Sequence, residues 1–302
     1  MNRSVSYLTA IGFSLVGYVL WTCSDAFMKL ASAMPKYEIL GFGGLGGAIT
    51  ILCISLWSGG AGKLRSRRPM WTGALGFLYV INYILAAWAF FRLPLSNFYV
   101  VTFLAPPAIA VLSPILLRER IGWQQGLATI AGFVGVVIAV NPGSLLGDTF
   151  HWMGYVAAFA CMFLTVAQMM MLRVLGPHES RESMIFFQRI LALLAAAAMC
   201  AVAGFEPITT KEFVYATLTG VLGSIGWLCM AYAHKIAPAT LIAPFHYIRL
   251  IVGAVLGYLI WQDLPTLHLV IGAVIIIASG LYLAAHARKA EKLAEALLET
   301  QS

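Results

Sequence analysis

Ala87-Trp88-Ala89-Phe90-Phe91-Arg92-Leu93-Pro94 and Ala231-Tyr232-Ala233-His234-Lys235-Ile236-Ala237-Pro238 share one pattern: an Ala-aromatic-Ala triplet, four residues, then proline. The two stretches lie 144 positions apart. At the same offset, without a gap, Glu119 matches Asp263 at the close of the next apolar run, and residues 125–140 align with 269–284. A repeat this long exceeds any solenoid unit and reads as two halves of one molecule. An odd number of membrane crossings in the interval makes the halves inverted copies, an arrangement characteristic of transporters.

Composition sets the solvent. The chain has 302 residues, 61% of them hydrophobic and 10% charged, with mean hydropathy +0.88. So few charges cannot cover so much apolar surface in water. The apolar runs are long and continuous, which excludes the short alternating strands of a β-barrel. The class is an all-α integral membrane protein. The formal charge of +7 does not point to nucleic acid, because the basic residues sit in short loops between apolar runs. Cys23, Cys53, Cys161, Cys200 and Cys229 all fall within apolar runs, with no CxxC. They read as small buried hydrophobes, and no metal site or cofactor is expected. The first run continues past Trp21 to a spanning length and lacks a small-residue cleavage site, so it reads as a span rather than a cleaved signal.

About 20 apolar residues cross a bilayer. Ten spans are expected near 7–30, 38–57, 70–91, 95–117, 124–141, 151–173, 183–204, 211–233, 238–260 and 267–286. This gives ten transmembrane helices in two inverted five-helix repeats: residues 1–145, residues 146–287, and a tail at 288–302 that alternates Lys, Glu and Ala-Leu pairs. With the N-terminus in the cytoplasm, thirteen Lys and Arg fall on the cytoplasmic side and four outside, with Arg189 and Arg249 inside spans. The positive-inside rule then places both termini in the cytoplasm and the second half upside down. The expected location is a bacterial inner (plasma) membrane, multi-pass.

Polar groups within spans are costly and need a partner, a wet cavity or an escape to the surface. In the ninth span His246, Arg249, Gly253 and Gly257 share one helix face. A guanidinium at mid-span can hold a carboxylate or phosphate bidentately, or serve structurally against backbone carbonyls or Asp25. His246 is a candidate proton carrier or a satisfied polar residue. Gly253 and Gly257 form a small-xxx-small pair, read as helix packing. In the first span Tyr18, Trp21 and Asp25 form a stripe, and Asp25 has two readings: a site group facing Arg249, or an i, i+4 partner of Lys29. Tyr79, Asn82 and Tyr83 share a face of the third span, and an aromatic wall with polar tips suits planar or amphipathic solutes. Tyr99, Thr102, Gln168 and Trp227 complete the candidate substrate-binding set. Trp88 and Tyr232, at matched positions, read as an interfacial belt. Pro106-Pro107, Pro114 and Pro244 are expected to break the fourth and ninth helices.

Leu116-Leu117-Arg118-Glu119-Arg120-Ile121 and Ala243-Pro244-Phe245-His246-Tyr247-Ile248-Arg249-Leu250 carry a resemblance to a known family. The second runs on through Gly253, Gly257-Tyr258 and Trp261-Gln262-Asp263-Leu264-Pro265 to Ile277-Ala278-Ser279-Gly280-Leu281-Tyr282. With the ten-helix inverted plan, these fragments resemble the drug/metabolite transporter superfamily, in particular its EamA-type ten-helix members. The family usually has Glu where Asp263 stands. The resemblance implies a central cavity lined by the first, third, fourth, sixth, eighth and ninth helices. It points to members that export amino acids or take up S-adenosylmethionine or riboflavin.

The expected function is secondary transport, by alternating access, of a small polar organic metabolite. The first choice is an amino acid, aromatic among them; the alternative is S-adenosylmethionine, riboflavin or a nucleotide-like compound. The expected partners are the solute, the lipid bilayer, and a proton or exchanged solute as coupling species. No phosphate-binding G-x-x-x-x-G-K-[ST] motif occurs, so ATP is not the direct driver. A membrane-embedded enzyme needs a dense polar constellation, whereas the six histidines are scattered. No catalytic residue is assigned.

Overall fold

A computed structural model describes residues 7–90, 92, 98, 101–117, 122–140, 152–262, 264 and 266–299, without the side chains of 87, 90, 140 and 287–299. Pro94, Tyr99, Glu119 and Asp263 lie outside the described residues. The described secondary structure is helical throughout. In chain order the helices are α1 (Tyr7–Leu30), α2 (Lys36–Ser58), α3 (Pro69–Phe90), α4 (Ala105–Leu116), α5 (Trp123–Val140), α6 (Trp152–Leu175), α7 (Arg181–Ala203), α8 (Thr210–Ile236), α9 (Ala239–Trp261) and α10 (Leu267–Glu299). Eight are long and apolar enough to cross a bilayer, and α4 and α5 are shorter apolar helices. Large apolar side chains such as Trp57, Phe77 and Val202 face outward, as expected where lipid replaces water.

The offset of 144 recurs in the helices themselves: α1 corresponds to α6, α2 to α7, α3 to α8, α4 to the second part of α9, and α5 to α10. Packing repeats it. Helix α1 lies on α8 as α6 lies on α3; α2 lies on α8 as α7 lies on α3; α1 meets α9 as α6 meets α4; α2 pairs with α7, and α5 with α10. Each of these contacts thus has its image in the other half, as a two-fold relation between the repeats requires.

Loop contacts show the inversion. At the face where α1 begins, Glu179 accepts hydrogen bonds from Ser66 Oγ and the Arg67 amide at 3.1 Å, and from the Arg68 amide. Arg173 donates to the His234 carbonyl there at 2.8 Å. At the opposite face Glu38 accepts from the Glu206 amide at 2.8 Å, and Lys29 lies 4.0 Å from the Trp261 ring centroid. Helices α1 and α6 therefore run in opposite directions.

Local chemistry accounts for the helix ends. Ser180 caps α7 by accepting from the Ser183 amide. Thr209 and Glu212 form a reciprocal capping box on α8. Gly60 (φ 97°) follows α2 and Gly204 (φ 89°) follows α7. They are matched positions, in a region of φ that favours glycine. Within a membrane, helices associate through close packing rather than water exclusion, so small residues mark the contacts. A Cβ on Gly220 would lie 1.7 Å from the Gly43 carbonyl oxygen, and one on Gly272 would lie 2.3 Å from that of Gly135. By contrast, a Cβ on Gly253 would meet Thr22 at an ordinary 3.8 Å, so that glycine does not mediate the tight packing expected of it.

The prolines mark breaks in two spans. In the fourth, helical residues 101–102 give way to a turn at 103–104, and a new helix, α4, opens with Pro106-Pro107 in its first turn, where missing amides cost nothing. Pro114 alone lies inside it. Pro244 breaks the ninth span: α9 consists of an α-turn at Ala239–Ile242, a 3-10 stretch at Ala243–Tyr247, and an α-helix at Ile248–Trp261. The backbone of α10 continues as helix from the span into the tail, to Glu299.

Candidate functional site

A cavity of about 190 Å³ lies among the helices, displaced from mid-span toward the face where α1 ends. Helix α1 gives it Trp21, Ser24, Asp25 and Met28; α3 gives Tyr79, Asn82, Tyr83 and Ala86; and Phe98 and Thr102 enter from ahead of α4. From the other half come Cys161, Thr165 and Gln168 of α6, Arg189 of α7, Thr219, Gly223 and Trp227 of α8, and His246 and Arg249 of α9. Toward the face where α1 begins, buried Tyr18, Leu172 and Met230 belong to a continuous apolar plug.

The helix faces explain this convergence. Trp21 and Asp25 are one turn apart, as are Tyr79 and Tyr83, so each pair projects from one side of its helix. On α9, the 3-10 stretch places His246 just ahead of the α-helix that carries Arg249. Arg249 Nη2 lies 2.5 Å from Asp25 Oδ2, with the two side chains 16% and 31% exposed. Arg249 Nη1 lies 3.0 Å from His246 Nε2. A guanidinium can only donate, so Nε2 of His246 accepts and the imidazole is neutral in this arrangement. Lys29 instead covers Trp261, which leaves Asp25 to Arg249.

The aromatic groups form a wall. Trp21 and Trp227 have ring centroids 4.6 Å apart, and Tyr79 and Trp227 are 6.5 Å apart. Tyr18 lies below, against His246 at 5.0 Å. Asn82 Nδ2 donates to Thr165 Oγ1 at 3.1 Å, and Tyr83 Oη donates to the Lys36 carbonyl at 3.5 Å. Gln168 is fully buried and donates to the Leu164 carbonyl at 3.2 Å, and Oε1 has no hydrogen-bond partner among the described residues. Trp88 and Tyr232 sit away from the cavity, beneath Arg92 and Arg181 respectively.

Of the candidates read from the sequence, the cavity brings together Trp21, Asp25, Tyr79, Asn82, Tyr83, Thr102, Gln168, Trp227, His246 and Arg249; Tyr99 lies outside the described residues. Sequence reasoning missed Ser24, Phe98, Thr165, Thr219 and, above all, Arg189. The lining of a seventh helix also departs from the six expected. Arg189 is 3% exposed, its Nη1 donates to the Tyr79 hydroxyl, and its Cζ lies 4.7 Å from the Tyr79 ring centroid. The signal was available: an arginine inside a span is itself a mark of function.

Comparison with known proteins adds a family. The model of the EamA-like transporter family matches residues 8–141 and again 152–285. An S-adenosylmethionine uptake transporter of Rickettsia felis is 27% identical over 96% of this chain and 97% of its own. A pseudopaline exporter of Pseudomonas aeruginosa is 26% identical, covering 84% and 88% respectively. A riboflavin transporter of Vibrio cholerae is 25% identical over 72% of each chain. One solved crystal structure shares the fold, with TM-score 0.80 at 19% identity over 93% of this chain and 98% of that one.

Proposed function

The chain belongs to the EamA-like transporter family, and from that premise we propose that it is a secondary transporter of an amino-acid-headed metabolite. The class includes aromatic amino acids and S-adenosylmethionine. The observation that carries this reading is the cavity itself: an aromatic wall of Trp21, Tyr79 and Trp227 beside the Asp25–Arg249 pair. An aromatic face accepts a planar ring, or a cation such as a sulfonium. Charged side chains of the cavity, Asp25 among them for an ammonium and the arginines for a carboxylate, suit an amino-acid head group. At about 190 Å³ the cavity is smaller than the roughly 300–1,000 Å³ of drug-sized sites. Its present size fits an amino acid, and a nucleoside-bearing substrate requires it to widen. The name of the Rickettsia felis relative, similar along nearly its whole length, supports including S-adenosylmethionine.

In this reading the repeats rock about the cavity between states open to opposite faces. The protein lies in the cytoplasmic membrane with both termini inside. Protonation of His246, or an exchanged solute, supplies coupling; a protonated imidazole can no longer accept from Arg249, so a proton there would loosen the Asp25–Arg249–His246 chain. Proteoliposome uptake of labelled S-adenosylmethionine, tryptophan and riboflavin tests the proposal. We expect saturable flux of one of the first two, and a fall of about ten-fold or more in Arg249→Ala. Uptake undiminished in that variant removes Arg249 from the site, and flux of riboflavin alone replaces the substrate class.

A further inference from the structure

The two arginines of the cavity are not equivalent. Arg249 has Asp25 at 2.5 Å. Arg189, 3% exposed, has no carboxylate within ion-pair distance among the described residues; its side-chain hydrogen bond goes to the neutral Tyr79 hydroxyl, and Nε has no acceptor. A phenol cannot cancel a guanidinium charge. An unneutralised cation inside a span is costly, and packing alone gives no reason to keep it.

The fold makes room for this group. A Cβ on Gly47 would stand 2.8 Å from Arg189 Cδ and 3.0 Å from Nε, and one on Gly223 would stand 3.4 Å from Nη2. Gly223 is the repeat counterpart of Tyr79. One half thus supplies a hydroxyl and ring for the guanidinium, and the other supplies space beside it.

We propose that Arg189 is a carboxylate-binding subsite of the cavity, whose missing counter-charge is delivered by the substrate. The planar fork matches a carboxylate bidentately. One unpaired positive charge calls for one negative charge, whereas a phosphate monoester carries about −1.5 to −2. The proposal rests on reading the cavity as the transport site, and it assigns the carboxylate to Arg189 rather than to Arg249, which Asp25 already neutralises.

Two measurements decide it. The first needs no knowledge of the substrate: the melting temperature of purified protein in acetate against chloride. Acetate should stabilise the wild type. Arg189→Met should melt at or above the ligand-free wild-type temperature, since it removes an uncompensated charge, and should lose the acetate shift. The second compares uptake of S-adenosylmethionine with decarboxylated S-adenosylmethionine, and of tryptophan with tryptamine. The wild type should prefer the carboxylate form of its substrate by about ten-fold or more, and Arg189→Gln should bring that ratio to about one.

A fall of about 5 °C or more in Arg189→Met makes the arginine structural and overturns the proposal. So does the absence of any Arg189-dependent acetate shift or carboxylate preference. If the wild type carries none of the four compounds, the substrate class proposed above falls, and the acetate comparison still decides Arg189.

Discussion

Two helix crossings, related by the repeat, have been put to different uses. Where α1 crosses α8, Gly17 and Trp21 face Gly226 and Met230; where α6 crosses α3, the counterparts Cys161 and Thr165 face Asn82 and Ala86. The backbone geometry is shared: the Gly226 carbonyl oxygen lies 3.0 Å from where a Cβ on Gly17 would be, and the Cys161 thiol meets the Asn82 carbonyl oxygen at 3.6 Å. In the first crossing Met230, fully buried, fills the notch at Gly17 and belongs to the plug. In the second, Asn82, Ala86, Cys161 and Thr165 all line the cavity. Side-chain volume, laid over one crossing geometry, lets Met230 close the notch at Gly17 while its counterpart Ala86 leaves the matched notch open to the cavity. Under the alternating access proposed above, the Met230–Gly17 contact would be one to give up as this crossing opens.

Substitutions at matched positions separate the two uses. The largest effect is expected from Gly226→Val. Its Cβ would fall 2.6 Å from Trp21 Cδ1 and 3.0 Å from the Gly17 carbonyl oxygen, and backbone cannot yield as a side chain does. We expect a loss of about 3 kcal/mol, the upper end for overpacking, read from equilibrium unfolding in detergent or bicelles. Asn82→Val, at the matched position beside open space, should cost less than half as much while reducing uptake. Equal stability losses would mean that the two crossings are packed alike.

Met230→Ala comes next. Burial predicts a loss of about 2 kcal/mol, the low end for Met→Ala, because the cavity above can collapse into the gap. Its counterpart, Ala86→Met, should leave the unfolding transition in place and block uptake by filling the cavity. A Met230→Ala protein as stable as wild type would remove this side chain from the seal.

The ten-helix plan was readable because it depends on period and length, which are local properties: apolar runs, the offset of 144, and the basic loops. The stripe on α9 and the Trp21–Asp25 turn on α1 were readable for the same reason, since helical spacing places them on one face. The glycine-rich stretches of α2 and α8 were readable as places of close backbone approach, but not which partner each glycine meets, because that partner is distant in sequence. Gly253, in a regular small-residue pattern, meets Thr22 at ordinary distance, whereas Gly226 is pressed against Trp21 and Gly17. Arg189 was visible as an intramembrane charge, but that no carboxylate among the described residues pairs with it is a statement about every neighbouring helix. The choice between Lys29 and Arg249 as the partner of Asp25 likewise needed the packing of α1 on α9.

The smallest effect tests the polar side of the comparison. Asn82 Nδ2 and Thr165 Oγ1 form a hydrogen bond of 3.1 Å where the other crossing has Gly226 and Trp21. Interhelical hydrogen bonds in membranes average only about 0.6 kcal/mol, because the separated helices also find partners. Thr165→Val keeps the shape and removes the hydroxyl, so a loss of about that size is expected. A double-mutant cycle with Asn82→Ala isolates the pair: a coupling near the average means that the bond is dispensable to the fold and leaves these groups to the solute. A coupling above about 1.5 kcal/mol, near the maximum seen for such pairs, would instead make the bond the clasp of this crossing, as Met230 in its notch is of the other.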